Sequence, residues 1–187
     1  MRAVDVFVNS YFLRIRTQGM IEFMYVVSRI FDVSIYSVVV TILIAVFIYF
    51  ARGKKYAYLF SGSMLFGAAV AYVLKIFFNV PRPPDAVFQT FGQSFPSYHA
   101  VIVTIFFSML IFIFDDYFTG FWRKFFNFIC LFGIFLVSFS RLYLGVHWLS
   151  DVLAGILLGL LIVYFSVLIF KKLNRFKLKT RSNVPQI

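Results

Sequence analysis

The chain has 187 residues, of which 62% are hydrophobic and 13% are charged. Soluble domains carry about a quarter charged residues and less than half apolar ones, so the composition excludes a disordered chain and argues against a water-soluble enzyme. The 18 Lys and Arg against 7 Asp and Glu give a net charge of +11, which in a soluble protein would suggest nucleic acid as a partner. In a membrane protein the same excess reflects basic cytoplasmic loops, so the positions of the charges must decide.

Residues 1–32 are apolar but interrupted by charges, so they contain no uninterrupted membrane span. The interrupting side chains are Asp5, Arg14, Arg16, Glu22, Arg29 and Asp32. We expect residues 1–32 to form an amphipathic helical segment on the outer membrane face. A re-entrant or strained crossing is the alternative interpretation.

Five apolar stretches follow, each close to the ~20 residues that a helix needs to cross a bilayer. They are Val33–Ala51, Tyr56–Leu74, Ala100–Phe114, Phe125–Ser140 and Val152–Phe170. The third and fourth are short and need polar flanking residues to reach spanning length. The sequence therefore predicts an all-α, polytopic membrane helix bundle with five spans and the N-terminal segment. Residues 33–170 would form its transmembrane domain.

Most basic residues beyond the N-terminal segment fall on one side of this five-span topology. They follow spans one, three and five, and they are Arg52, Lys54, Lys55, Arg123, Lys124, Lys171, Lys172, Arg175, Lys177, Lys179 and Arg181. The positive-inside rule makes this the cytoplasmic side, so residues 171–187 are predicted to be a basic cytoplasmic tail and no nucleic-acid partner is expected. On the other side only Lys75, Arg82 and Arg141 remain, and they need a separate explanation.

Ionisable groups at membrane depth are costly and by default mark function. They gather in three segments, Lys75–Pro84, Phe95–His99 and Ser140–Asp151, which the topology brings to the same outer side. Both histidines of the chain, His99 and His147, belong to this set.

The cations and a hydroxyl of these segments suit a phosphate group. Lys75 supplies a point charge, and Arg82 and Arg141 supply planar forks of donors. Ser97 adds a hydroxyl at the start of the third span, where backbone N–H groups and the helix dipole also favour an anion.

His147 and Asp151 are four residues apart, so on a helix they share a face and the carboxylate can fix the imidazole tautomer. The other ring nitrogen is then available to attack phosphorus, while His99 can protonate a leaving oxygen near neutral pH. No carboxylate cluster is arranged to hold magnesium, and the single Cys130 offers no metal pair. The pattern predicts phosphoryl transfer with a histidine nucleophile, without metal or cofactor.

The three segments resemble the signature motifs of the type 2 phosphatidic acid phosphatase (PAP2) superfamily. The matching patterns are Lys75-x6-Arg82-Pro83, Pro96-Ser97-x-His99 and Ser140-Arg141-x5-His147-x3-Asp151. The resemblance implies that His147 forms a phosphohistidine, that Asp151 orients it and that His99 is the general acid. The phosphate-binding residues that it implies are Lys75, Arg82, Ser97 and Arg141.

The chain departs from the family pattern in two places. The family usually has Gly between Ser and His of the second motif, and this chain has Tyr98, which is expected to narrow the substrate pocket or alter substrate choice. The usual membrane core has six helices, whereas five spans plus the segment 1–32 are predicted here.

The resemblance implies a multi-pass membrane phosphatase acting on a lipid phosphate or diphosphate. The short chain resembles bacterial members that dephosphorylate undecaprenyl diphosphate, with the site on the outer face of the cytoplasmic membrane and membrane lipids around it. Phosphatidylglycerophosphate, phosphatidate and the phosphates of lipid A are competing substrates. Phosphotransfer to an acceptor lipid or sugar is an alternative, and a non-catalytic anion-binding membrane protein is a third. The sequence leaves the oligomeric state open.

Overall fold

A computed structural model describes residues 2–30, 35–88 and 92–182. Within these ranges the chain forms seven α-helices and no strand. They are α1 (Arg2–Ile15), α2 (Gln18–Ile30), α3 (Ile35–Arg52), α4 (Lys54–Phe78), α5 (Tyr98–Phe114), α6 (Gly120–Tyr143) and α7 (Leu149–Ser182). Each predicted apolar stretch lies inside one of these helices, except that the first two residues of Val33–Ala51 fall outside the described ranges. Residues 183–187 of the predicted tail also fall outside them.

Among the described residues, three helices are long and apolar enough to cross a membrane: Lys54–Phe78, Gly120–Tyr143 and Leu149–Arg175. The apolar segments Ser37–Arg52 and Tyr98–Phe114 are shorter. Large apolar side chains on the outside of the bundle, such as Phe50, are exposed, as expected where lipid rather than water surrounds the helices. The prediction of an all-helical membrane protein is confirmed.

Helix α5 is the centre of the bundle and packs against α4, α6 and α7. It is apolar around its whole circumference, which is typical of a buried helix. Val101, Ile105 and Met109 are completely buried. The N-terminus of α5 carries the second predicted motif, so the most buried of the seven described helices supports the candidate site.

Helix α7 approaches α5 closely because two glycines face it. A Cβ at Gly155 would lie 2.8 Å from the carbonyl oxygen of Ser97, and one at Gly159 would lie 2.7 Å from Cβ of Thr104. Larger residues would therefore push the two helices apart. The close contact places the first turn of α7 beside the start of α5, where the Ser97 N–H donates to the carbonyl oxygen of Asp151 at 3.0 Å.

The predicted N-terminal segment is two helices, α1 and α2, with a break at Arg16 and Thr17. Both pack against α6, and α1 also packs against α7. Nε of Arg16 donates to the carbonyl oxygen of Tyr143 at 2.9 Å, and the Thr17 N–H donates to the Tyr143 hydroxyl at 3.0 Å. Gly145, in the loop after α6, has a φ of 64°, and a Cβ there would collide with the Arg16 guanidinium. Only glycine suits this turn.

Candidate active site

Lys75 of the first motif lies in the last turn of α4. Its Nζ donates to the carbonyl oxygens of Gln93 at 2.7 Å and of Ser94 at 3.2 Å. These bonds tie the end of α4 to the segment that leads into α5. The ammonium group is therefore held between the first and second motifs.

Arg82 of the first motif lies in the loop between α4 and α5 and reaches the third motif. Its Nε donates to the carbonyl oxygen of Gly92 at 3.0 Å, and its Nη1 donates to that of Val146 at 2.8 Å. The same Nη1 lies 3.2 Å from Nε2 of His147. Burial lowers the pKa of the guanidinium from its ordinary value, yet an arginine remains charged at any physiological pH.

The second motif caps α5. Ser97 is the N-cap residue and is fully buried, and its hydroxyl forms no capping bond to the helix. Its Oγ has no hydrogen-bond partner among the described residues, so a donor is available beside the N–H groups of the first helical turn. His99 is buried in that turn, close enough to Arg141, Lys75 and Arg82 for their charges to act on it.

The third motif spans the end of α6, the following loop and the start of α7. Arg141 lies buried in the last turn of α6. His147 lies in the loop and Asp151 in the first turn of α7, so the expectation that both share one helix is wrong. The loop nevertheless brings Nδ1 of His147 to 3.5 Å from Oδ2 of Asp151.

Asp151 also stabilises the start of its own helix. Its Oδ2 accepts the backbone N–H of Trp148 at 2.9 Å, as a carboxylate at the third helical position does in a capping box. Since one oxygen contacts both this N–H and the imidazole, the helix start and the histidine orientation depend on the same carboxylate.

Ser94, which was not among the predicted site residues, joins the histidine and the aspartate. The Ser94 hydroxyl donates to Oδ2 of Asp151 and lies 3.4 Å from Nδ1 of His147. Ser94 is fully buried. Its position two residues before Pro96 of the second motif is the only signal in the sequence, and that signal alone does not separate it from an ordinary loop serine.

Burial and the neighbouring cations favour the neutral form of His147. Burial lowers the pKa of its imidazole well below the ordinary value, and three nearby cations act in the same direction. These cations are Arg141, Arg82 and Lys75. A neutral imidazole is the nucleophilic form, so the same cations that suit a phosphate also favour the reactive state of the histidine.

Tyr98 is the first residue of α5 and directly precedes His99. It lines a cavity of about 700 Å³ together with Ile102 of the same helix and with residues of α2, α3 and α4. Its ring centroid is 6.4 Å from that of His99. The residue at the position of the usual glycine therefore borders both the histidine and a largely apolar space.

The structure brings Lys75, Arg82, Ser97 and the His147–Asp151 pair to one end of the bundle, with His99 and Arg141 beside them. In the described ranges, no group of three or more His, Cys, Asp or Glu side chains is placed to hold a metal ion. The arrangement offers one oriented imidazole, a second imidazole and several cations. It can bind an anion and place a nucleophile against it.

The sequence profile of the PAP2 superfamily matches residues 55–175. The fold is similar to the crystal structure of a transmembrane PAP2 type phosphatidylglycerolphosphate phosphatase from Bacillus subtilis, with a TM-score of 0.80 and 24% identity over 94% of this chain and 88% of that one. It is also similar to Aquifex aeolicus LpxE, with a TM-score of 0.72 and 20% identity over 87% of this chain and 94% of that one. No curated protein sequence matches the chain significantly. Because the profile covers more than half of its length, the chain belongs to the PAP2 superfamily.

Proposed function

We propose that this protein is an integral membrane phosphatase that hydrolyses a phosphate monoester or diphosphate of a lipid. The observation that carries the proposal is the orientation of His147. Its Nδ1 is held by Asp151 and Ser94, while its Nε2 lies 3.2 Å from the Arg82 guanidinium. A phosphoryl group bound by Arg82 would therefore meet the nitrogen that can attack it.

The proposed reaction has two steps. Nε2 of His147 forms a bond to phosphorus while the bond to the leaving oxygen breaks, and His99 gives its proton to that oxygen. Water then attacks the phosphohistidine as His99 takes a proton from it, which releases inorganic phosphate and restores His147. Asp151 stabilises the positive charge on the imidazole during both steps.

Fixed protein charges would neutralise the phosphoryl oxygens in the proposed mechanism. Lys75, Arg82 and Arg141 supply cations, and Ser97 with the N-terminus of α5 supplies further donors. We therefore propose that turnover needs no metal ion. Retention of activity in EDTA is the expected result.

The apolar cavity beside Tyr98 supports a lipid as the substrate. Its walls include Val38, Thr41, Met64 and Ala68, which suit a hydrocarbon chain rather than a sugar or nucleotide. We propose that the phosphate enters the charged end of the bundle while the chain remains among the apolar helices. Polyprenyl diphosphates and glycerophospholipid phosphates are the leading substrate classes, and lipid A phosphates are the alternative.

We further propose a five-crossing topology with α3 to α7 as the spans and residues 33–170 as the catalytic domain. The basic loops and the tail 171–187 would be cytoplasmic, which puts the active site on the outer face of a bacterial cytoplasmic membrane. The helices α1 and α2 would lie at that outer interface, where their many exposed apolar side chains contact lipid.

The test is phosphate release by purified protein in detergent, with EDTA present, from a panel of lipid phosphates. The panel contains undecaprenyl diphosphate, phosphatidylglycerophosphate, phosphatidate and lipid A. Release from at least one, abolished in His147→Ala, is the expected result. If the phosphate group of the substrate is labelled, recovery of the label in a lipid or sugar product instead of in free phosphate would show phosphotransfer. Binding of these lipids without either reaction would refute catalysis.

A further inference from the structure

We propose that the N-terminal helix pair α1–α2 positions the active site through two side chains. Asp5 of α1 fixes the first turn of α7, which carries Asp151. Ser28 of α2 fixes Arg141, a proposed phosphate-binding residue. This inference rests on the proposed function. It assigns the pair a role in the reaction beyond contact with the membrane.

Asp5 caps α7 from a different helix. Its Oδ1 accepts the backbone N–H of Ser150 at 2.9 Å, and its Oδ2 accepts the Ser150 hydroxyl at 2.9 Å. Ser150 is the second residue of α7, where backbone N–H groups have no partner within the helix. A carboxylate there also interacts favourably with the helix dipole. The next residue is Asp151, so Asp5 secures the turn that orients His147.

The environment of Asp5 supports this role over that of a surface charge. The residue is only 7% exposed, although it lies in a helix whose other side chains are mostly exposed. It lines a cavity of about 470 Å³ together with Trp148 and Asp151. A buried carboxylate is costly unless it is bonded, and the bonds of Asp5 are made to α7.

Ser28 makes the corresponding contact to the phosphate-binding group. Nη1 of Arg141 donates to the Ser28 hydroxyl, and both residues are 3% exposed. A guanidinium recognises phosphate through a planar fork of donors, so its orientation matters as much as its charge. The contact sets that orientation from α2, which is anchored to α6 through the bonds of Arg16 and Thr17 to Tyr143.

The two contacts predict different kinetic defects. Loss of the Asp5 contact disturbs the His147–Asp151 pair and therefore the chemical step. Loss of the Ser28 contact disturbs Arg141 and therefore the affinity for phosphate. A segment that only stabilised the fold would affect the chemical step and the affinity together.

The experiment measures kcat on nitrophenyl phosphate and phosphatidate, together with the inhibition constant of inorganic phosphate. Asp5→Ala should lower kcat by about tenfold, the size expected for a hydrogen bond to a charged group, and leave phosphate inhibition within about twofold. Asp5→Asn, which keeps an acceptor oxygen, should restore part of kcat. Ser28→Ala should weaken phosphate inhibition by about tenfold, and Ser28→Thr should restore it.

Two matched controls remove the same chemical groups elsewhere. Glu22→Gln neutralises an exposed carboxylate of α2 that accepts only from Gln18 of its own helix among the contacts described. Ser63→Ala removes a buried hydroxyl of α4 that donates to Leu59 of its own helix. Both variants should match the wild type in kcat and in phosphate inhibition.

Phosphate-dependent thermal stabilisation gives a readout that does not require turnover. The Asp5 variants should keep the stabilisation and Ser28→Ala should lose most of it. If the wild type released no phosphate from any substrate, the proposed function would fail. The thermal measurement would still test whether Ser28 orients Arg141 for phosphate binding. Parallel loss of kcat, phosphate affinity and melting temperature in both variants would overturn the inference, as would wild-type behaviour in both.

Discussion

Nη1 of Arg82 lies 3.2 Å from Nε2 of His147, on the ring edge opposite Asp151. The Arg82 guanidinium, which suits a phosphate, thus lies within hydrogen-bond distance of the imidazole nitrogen that is proposed to attack. In the proposed mechanism, a phosphoryl group bound by Arg82 is also aligned for attack by His147, so binding and alignment are the same event. The first two predictions depend on this geometry.

The two histidines should respond differently to the leaving group. His147→Ala removes the nucleophile and should abolish turnover of every substrate. His99→Ala removes a proton donor, typically worth about 10²–10⁴-fold, and should cost less with nitrophenyl phosphate because its leaving oxygen needs little protonation. The measurement compares both variants on alkyl and nitrophenyl phosphates and looks for acid-labile phosphate on the protein. Rescue of His147→Ala by the better leaving group would reverse the two roles.

The acidic limb of the pH profile of kcat/KM should reflect the ionisation of the His147 imidazole. Since burial and neighbouring cations hold the pKa of His147 well below its ordinary value, the limb of kcat/KM in the free enzyme should lie below about pH 6.5, the unperturbed value. A nearby cation disfavours the imidazolium, so Arg82→Gln should raise the pKa and move the limb to higher pH. The profile must be corrected for ionisation of the substrate. A limb that stays in place or moves to lower pH would contradict the assignment.

Ser94→Ala should slow the chemical step with little effect on substrate binding. The hydroxyl bonds Asp151 and lies beside Nδ1 of His147, so its loss leaves a buried carboxylate with one donor fewer. A hydrogen bond to a charged group is typically worth ~1.5–3 kcal/mol, which corresponds to a decrease of kcat by roughly tenfold or more. Steady-state kinetics should show this decrease with KM nearly unchanged. Ser108→Ala, in α5 outside the site, is the control.

Tyr98→Gly should keep the enzyme active and broaden its substrate range. The change restores the usual family residue and opens the cavity of about 700 Å³ at the end nearest His99. The ratio of kcat/KM for long-chain and short-chain phosphates should move toward unity. Complete loss of activity in a correctly folded variant would instead show that the tyrosine has an essential role.

The topology can be tested independently of catalysis. A reporter fused after Lys55 should be cytoplasmic, and a reporter inserted near Thr90 should be external, because the basic loops define the inner side. The reverse pattern would place the site in the cytoplasm and exclude an outer-leaflet substrate.

The candidate site was visible in the sequence because its residues contrast with their surroundings. Lys75, Arg141 and Asp151 stand at the ends of apolar stretches, where an ionisable group is costly without a function. The helices were predictable for a related reason, since continuous apolar runs of spanning length have few other solutions in lipid. The division of residues 1–32 into two helices was not predicted, because the segment lacks such a run.

The supporting contacts were not predictable because they join residues far apart in the chain. Ser94 and Asp151 are 57 residues apart, Ser28 and Arg141 are 113 apart, and Asp5 and Ser150 are 145 apart. A serine or an aspartate near the N-terminus carries no local pattern that identifies such a partner. The packing of α1 and α2 against α6 and α7 reveals the pairs of Asp5 and Ser28, and the approach of the loop before α5 to the start of α7 reveals the pair of Ser94.

Gly155 and Gly159 have a consequence for association between copies of this protein. Their Gly-x3-Gly spacing is a common means by which membrane helices of two chains dimerise. Here the stripe faces α5 of the same chain, and even a methyl group would meet Ser97 or Thr104. A second copy cannot use this surface without separating α7 from α5 beside the candidate active site. A homodimer that formed through the long apolar helices would therefore use a surface other than the one on which α7 meets α5.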